Sequence, residues 1–149
     1  MLRTRHDPGR ILAAVAVGGA LGAFVRYVAT DRFPEHAGRF PWVTFWINVS
    51  GALLLGFVLT LVVERFPPSR YLRPFLATGF CGAYTTFSTL AVEADLLVRD
   101  GNASSAVGYL AASVAAGLAA VTVGILAGRL LPVVEGRARQ PGPGSGGRL

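Results

Sequence analysis

Four apolar runs dominate the chain: Ile11 to Thr30, Pro41 to Val63, Pro74 to Val98 and Ala103 to Leu131. The connections between them are short and carry Pro, Gly and Arg. A helix needs about 20 mostly apolar residues to cross a bilayer, so each run has spanning length. The pattern predicts an all-α membrane protein of four transmembrane helices (11–30, 41–63, 74–98 and 103–131). A basic flank precedes them over residues 1–10, and a disordered tail follows over 132–149. The end of that tail, GRARQPGPGSGGRL from Gly136, is too rich in Gly, Pro and Arg to bury a core. The first run follows Arg3, Arg5 and Arg10 in the manner of a secretion signal. Its length and the three spans behind it predict a retained helix instead.

Polar positions interrupt the third run. GFCGAYTTFSTLAVE, Gly79 to Glu93, places Thr85, Thr86, Ser88 and Thr89 inside a membrane-length segment behind Gly79 and Gly82. Unsatisfied polar groups in hydrocarbon are costly, so this ladder must meet something polar. Two arrangements fit. In one, the helix breaks at mid-membrane and turns freed backbone carbonyls toward a cavity or a cation. In the other, the helix is continuous and its hydroxyls bond back to their own backbone.

Composition and charge narrow the class. The chain has 149 residues, 52% hydrophobic and 15% charged, with a mean hydropathy of +0.52. The net charge of +6 is a topology signal. Arg3, Arg5, Arg10, Arg65, Arg70, Arg73, Arg129, Arg137 and Arg139 fall on one side; Arg32, Arg39 and Arg99 fall on the other. Nine against three predicts both termini in the cytoplasm of a multi-pass protein of the bacterial plasma membrane. Arginines dispersed among spans form no basic stripe, so no nucleic-acid partner is expected. The single cysteine, Cys81, excludes an intramolecular disulfide and reads as a small buried residue. His6 and His36 lie in flanking segments and suggest no metal cluster.

Small residues mark helix contacts. Gly18 and Gly22 have the four-residue spacing that permits close approach, and Gly117, Gly124 and Gly128 recur through the fourth span. Four helices enclose a conduit poorly, which predicts an oligomer. Asn48 in the second span is either an interhelical hydrogen-bonding group or a donor turned toward an anion. Arg26 either snorkels or pairs structurally; Glu93 and Asp95 cap, pair with arginine or relay protons. Phe87 is by default a packing contact, but its ring edge can face an anion. Tyr109 and Ser113 share a face of the fourth span. No catalytic triad, HExxH motif or nucleotide loop is present, so enzyme activity is not expected.

Three stretches, GGALGAFVRY (Gly18 to Tyr27), TFWINVSGALLLGF (Thr44 to Phe57) and GFCGAYTTFSTLAVE, make the chain similar to the CrcB/Fluc family of fluoride channels. The resemblance implies a dimer of antiparallel four-helix subunits with two fluoride pores and passive export of fluoride from the cytoplasm. It implies a central structural sodium ion on the carbonyls of Gly82 and Thr85. Asn48 would face the pore, Phe87 would supply one ring edge, and Tyr109 and Ser113 would form a polar track. Thr86 and Ser88 complete the expected fluoride contacts, with Arg26 and Glu93 as structural charges.

The chain departs from that family pattern at two positions. Leu90 stands where a second pore phenylalanine is expected, and Gly117 where a hydroxyl is expected. Together with the arginine bias, they are explained if this subunit pairs with an oppositely oriented paralogue instead of forming a homodimer. A non-conducting, partner-dependent subunit is the nearest alternative. A small multidrug-type exporter is a further one, but it needs a carboxylate in the first span, where none is found.

Overall fold

The computed structural model describes residues 8–35, 38–65 and 70–131; the expected tail and most of the basic flank lie outside them. Helix α1 is Pro8–Arg32 and α2 is Trp42–Thr60, which continues into a π-helical turn, Leu61–Arg65. Helix α3 comprises a π-helical stretch, Pro74–Cys81, that tightens to α-helix over Gly82–Tyr84. Helices α4 (Phe87–Arg99) and α5 (Ala103–Leu130) complete the chain, and no strand occurs among the described residues. Four stretches are long and apolar enough to cross a membrane: Pro8–Arg32, Trp42–Glu64, Pro74–Arg99 and Ala103–Leu130. Leu12, Phe24, Val107 and Leu118 are exposed on their outer faces, as expected of helices solvated by lipid.

Two backbone-to-backbone pairings build the subunit. Helix α1 lies along α3, because Gly18 and Gly22 admit the carbonyl oxygens of Phe75 and Phe80 where a Cβ would collide. Gly79 answers from α3, with the Val15 carbonyl only 2.6 Å from where its own Cβ would stand. Helix α2 lies along α5 in the same way, Gly56 against the Val121 carbonyl and Gly124 against the Leu53 carbonyl. Lipid gives no hydrophobic drive for helix association, so this close fit supplies the dispersion contact that does. Between α2, α4 and α5, the side chains of Phe45, Leu90, Ala94, Leu97, Ala106 and Tyr109 form the buried core. Helix α4 ends in a Schellman turn. Gly101 takes φ +80°, and the N–H groups of Gly101 and Asn102 bond the carbonyls of Val98 and Leu97. The tight reversal starts α5 directly alongside α4.

The third span is interrupted, but later than the glycines suggest. Gly82 has ordinary helical angles (φ −64°, ψ −30°), and the chain stays helical to Tyr84. It extends at Thr85 (φ −76°, ψ 156°) and Thr86 (φ −145°, ψ 119°). Of the stretch Gly82 to Thr85 where uncoiling is expected, only Thr85 is extended, and the break runs on to Thr86 instead of back to Gly82. Glycine freedom is not the cause, since no residue here has positive φ. The break rests on substitute hydrogen bonds.

Candidate functional site

The interruption is held from both sides. Thr86 would donate its N–H to the Gly82 carbonyl in a continuous helix; here it donates to Asn48 Oδ1 at 2.8 Å. Asn48 Nδ2 donates in return to the Thr86 carbonyl at 3.0 Å. One carboxamide on α2 thus satisfies both backbone groups of one extended residue. Thr86 also caps α4, its Oγ1 accepting the Thr89 N–H at 3.2 Å and donating to Thr89 Oγ1 at 2.9 Å. Thr85 closes the preceding turn by donating Oγ1 to the Cys81 carbonyl at 2.9 Å. Gly51 of α2 lies beneath the break, where a Cβ would strike the Thr85 methyl group. Tyr84 and Ser50 share a hydroxyl hydrogen bond of 2.9 Å.

Arg26 reaches this place from α1. Its Nη1 makes a long contact, 3.5 Å, to the Thr85 carbonyl. It borders a cavity of about 290 Å³ lined also by Thr30, Thr44, Thr86 and Thr89. Arg26 makes no ion pair with a carboxylate among the described residues; its guanidinium borders a threonine-lined pocket. Asp95, by contrast, pairs with Arg99 on an exposed helix face at 2.8 Å.

A second polar chain runs through the core. Thr44 Oγ1 donates to Glu93 Oε1 and the Tyr109 hydroxyl donates to Glu93 Oε2, both at 2.7 Å. Tyr109 is wholly buried and Thr44 nearly so. One turn further along α5, Ser113 is buried and its Oγ has no hydrogen-bond partner. A buried hydroxyl without a partner costs about 1–3 kcal/mol unless another polar species meets it. Arg26 and Glu93 thus serve different sites, one at the break and one in the core. The structure brings Asn48, Thr85, Thr86 and Arg26 together, and separately Glu93, Tyr109 and Thr44.

Phe87 and Ser88 point away from the core, Phe87 being 81% exposed. Leu90 is in the core and does not share the outward face of Phe87. At Gly117 a Cβ would meet nothing within 4 Å, so packing does not enforce the missing hydroxyl. Gly82 and Thr85 border one cavity of about 300 Å³ with Asn48, Gly51 and Cys81. The Gly82 carbonyl is released from its helical partner by Asn48 and is the kind of oxygen ligand a small hard cation takes, whereas the Thr85 carbonyl is already faced by the Arg26 guanidinium.

Thr44 and Glu35 escaped the sequence reading. Thr44 carried a signal, standing four residues before Asn48 on one face of α2. Glu35 carried none: its Oε1 accepts the N–H groups of Val43 and Thr44 at 2.7 and 3.1 Å from eight and nine residues away. A capping box spans three.

Comparison with known proteins bears on the same residues. The family model described as CrcB-like protein, Camphor Resistance (CrcB), matches residues 13–125, which hold α2, the interrupted span and nearly all of α1 and α5. The chain is 46% identical over 147 residues to fluoride-specific ion channel FluC 3 of Streptomyces avermitilis, covering 94% of this chain and 72% of that one. It is 46% identical over 134 residues to fluoride-specific ion channel FluC 1 of Mycobacterium bovis, covering 90% and 96%. FluC 2 of Nocardia farcinica is 43% identical over 123 residues, covering 83% and 87%. With its interrupted third span and buried polar chain inside the matched region, the protein belongs to the CrcB family, whose members are ion channels and not enzymes.

Proposed function

We propose that this chain is a subunit of a fluoride-selective channel that lets fluoride leave the cytoplasm passively. The observation that carries this reading is the break at Thr85–Thr86, fastened by Asn48 and faced by Arg26. A dehydrated anion needs donors and positive charge in place of water, and it cannot pass a continuous apolar helix. The cavity of about 290 Å³ beside the break offers Arg26 and the Thr89 hydroxyl as donors, since the Thr30, Thr44 and Thr86 hydroxyls donate to other oxygens. Ser113, whose buried hydroxyl has no partner, adds a donor farther along α5, while Tyr109 and Thr44 give theirs to Glu93. The identity of the ion is supported by the relatives' names.

The working unit is an antiparallel dimer with pores lined by Asn48, Thr86, Phe87, Ser88, Tyr109 and Ser113. Phe87 is too exposed to line a pore within one subunit, and in this reading a second subunit covers it. The carbonyls of Gly82 and Thr85 would hold a structural sodium ion where the two subunits meet. When bound, that ion satisfies oxygens released from the helix and carries no step of conduction. The residues of this chain do the rest: Asn48 fixes the break, Arg26 attracts the anion, and the hydroxyls replace its water.

Pairing with an oppositely oriented paralogue is the second reading. Leu90 in the core and Gly117 without a hydroxyl favour it, since a partner would then supply the missing groups. One genome can hold several such chains, as FluC 2 and FluC 3 of Streptomyces avermitilis show. Fluoride-electrode recording from fluoride-loaded proteoliposomes tests both readings. Rapid efflux with this chain alone supports a homodimer. Efflux only after co-reconstitution with a paralogue supports the pair, and none in either case defeats the channel reading.

A further inference from the structure

Three successive residues at the break are each held by one turn of α2. Thr86 is held by the Asn48 carboxamide, at 2.8 and 3.0 Å. Thr85 seats its methyl group over Gly51, in the space of a Cβ. Tyr84 shares a hydrogen bond of 2.9 Å with Ser50. The Ser50 hydroxyl already donates its one proton to the Trp46 carbonyl at 2.6 Å, so Tyr84 is the donor in that pair. The Tyr84 ring lies against Gly51, its Cδ1 3.2 Å from where a Cβ would stand, and stacks on Phe80 with centroids 5.8 Å apart.

Successive helical residues are turned by about 100°, so Asn48 and Ser50 flank Gly51 at about 60° and about 100° to either side. Two bonds that straddle a seat stop the chain from rolling over it, which one bond does not. A roll at Tyr84 would turn the Thr85 carbonyl, the group that Arg26 meets at 3.5 Å, and carry Thr86 after it. By helical rise Ser50 lies about 12 Å from the start of α2 at Trp42, deep in a hydrocarbon core about 30 Å thick. No water is at hand there to replace a lost bond. Nor does any other side chain lining the surrounding groove of about 520 Å³, such as Phe33, Trp42 or Trp46, offer an acceptor.

We propose that Tyr84 is a positioning residue of the anion path, and that its bond to Ser50 sets how strictly the break discriminates fluoride from larger halides. The inference rests on the channel reading and deepens it. A donor set rejects a larger anion only as far as the backbone carrying it refuses to yield. Fluoride is the smallest halide, so a break that can roll loses discrimination before it loses passage. Tyr84 acts through the backbone and touches no ion. Neither it nor Ser50 lines the two cavities of about 290 and about 300 Å³ beside the break.

The test is the reversal potential of the functional assembly in a planar bilayer, with fluoride on one side and chloride on the other. The thermal midpoint in detergent is read beside it. Tyr84→Phe keeps the ring, its stack on Phe80 and its place against Gly51, and it strands no donor. Its midpoint should therefore stay near that of wild type. Its chloride permeability relative to fluoride should rise by about two- to tenfold, the weight of one net hydrogen bond. Ser50→Ala should raise the ratio too, and adding it to Tyr84→Phe should raise it no further, since both remove one interaction. Ser50→Thr keeps a hydroxyl at that place and should keep the wild-type ratio. If one single variant fails to fold, the other carries the test; failure of both makes the pair purely structural and overturns the inference. A wild-type ratio in Tyr84→Phe or Ser50→Ala overturns it as well, as do additive shifts in the double variant or an equal rise in Ser50→Thr. A wild-type assembly that passes no fluoride, or passes chloride as readily, is a different failure, that of the channel reading itself.

Discussion

Asn48 directs its oxygen and one of its two side-chain N–H bonds at the same residue, Thr86. Neither of these bonds uses the second N–H, which on the proposed function would meet the anion at the break. Asn48→Ala leaves the Thr86 N–H and carbonyl without these partners, at about 1–3 kcal/mol for each unsatisfied buried group. It should lower the thermal midpoint in detergent and abolish fluoride flux; an unchanged melt and an unchanged flux would remove Asn48 from the account. Gly117 makes the opposite case. Open space above it means that Gly117→Ser should melt within about 0.5 kcal/mol of wild type, as surface-like substitutions do. It should also raise flux by extending the hydroxyl series past Ser113; a decrease would show that this face of α5 does not line the path. Asn48, Thr86, Tyr109 and Ser113 were legible because polar groups in an apolar run must be explained. Glu35 was not, since only the folded first connection brings it back to α2.

Helix pairs depend on glycines whose role is contact, not flexibility. Gly22 accepts the Phe80 carbonyl where a Cβ would stand, and the carbonyl is backbone and cannot rotate aside. Gly22→Val therefore separates α1 from α3 and moves Arg26 away from the Thr85 carbonyl. The expected result is a loss of about 1–3 kcal/mol, typical of overpacking, with fluoride flux falling further than stability alone explains. Retention of full flux in a stably folded Gly22→Val protein would detach Arg26 from the mechanism. The spans themselves were readable from apolar length, and the small-residue spacing at Gly18 and Gly22 correctly marked a contact face. The site of the break was not readable to the residue. The sequence pointed to Gly82 through Thr85, whereas the substitute bonds that stabilise extended backbone come from Asn48, 38 residues away, and place it at Thr85–Thr86. The π-helical winding of Pro74–Cys81 had no sequence signal that we can identify.

At the level of the whole molecule, the proposed function requires more than one copy of this bundle. Its core is sealed around Tyr109 and Leu90, while Phe87, Ser88 and Gly82 lie on its outer surface. On the proposed function, those outward groups would become a path only between two subunits, whether identical or paralogous. The bidentate pair of Arg129 with Glu64, at 3.1 and 3.2 Å, ties α5 to the end of the second span. A channel built this way moves an anion without a coupled ion or a chemical step, and that property can be read directly as a voltage. The decisive measurement is the reversal potential across a planar bilayer holding the functional assembly under a fluoride gradient, with other ions balanced. It should follow the equilibrium potential of fluoride and stay unmoved by a chloride gradient. A potential set by protons, cations or chloride would contradict passive fluoride selectivity.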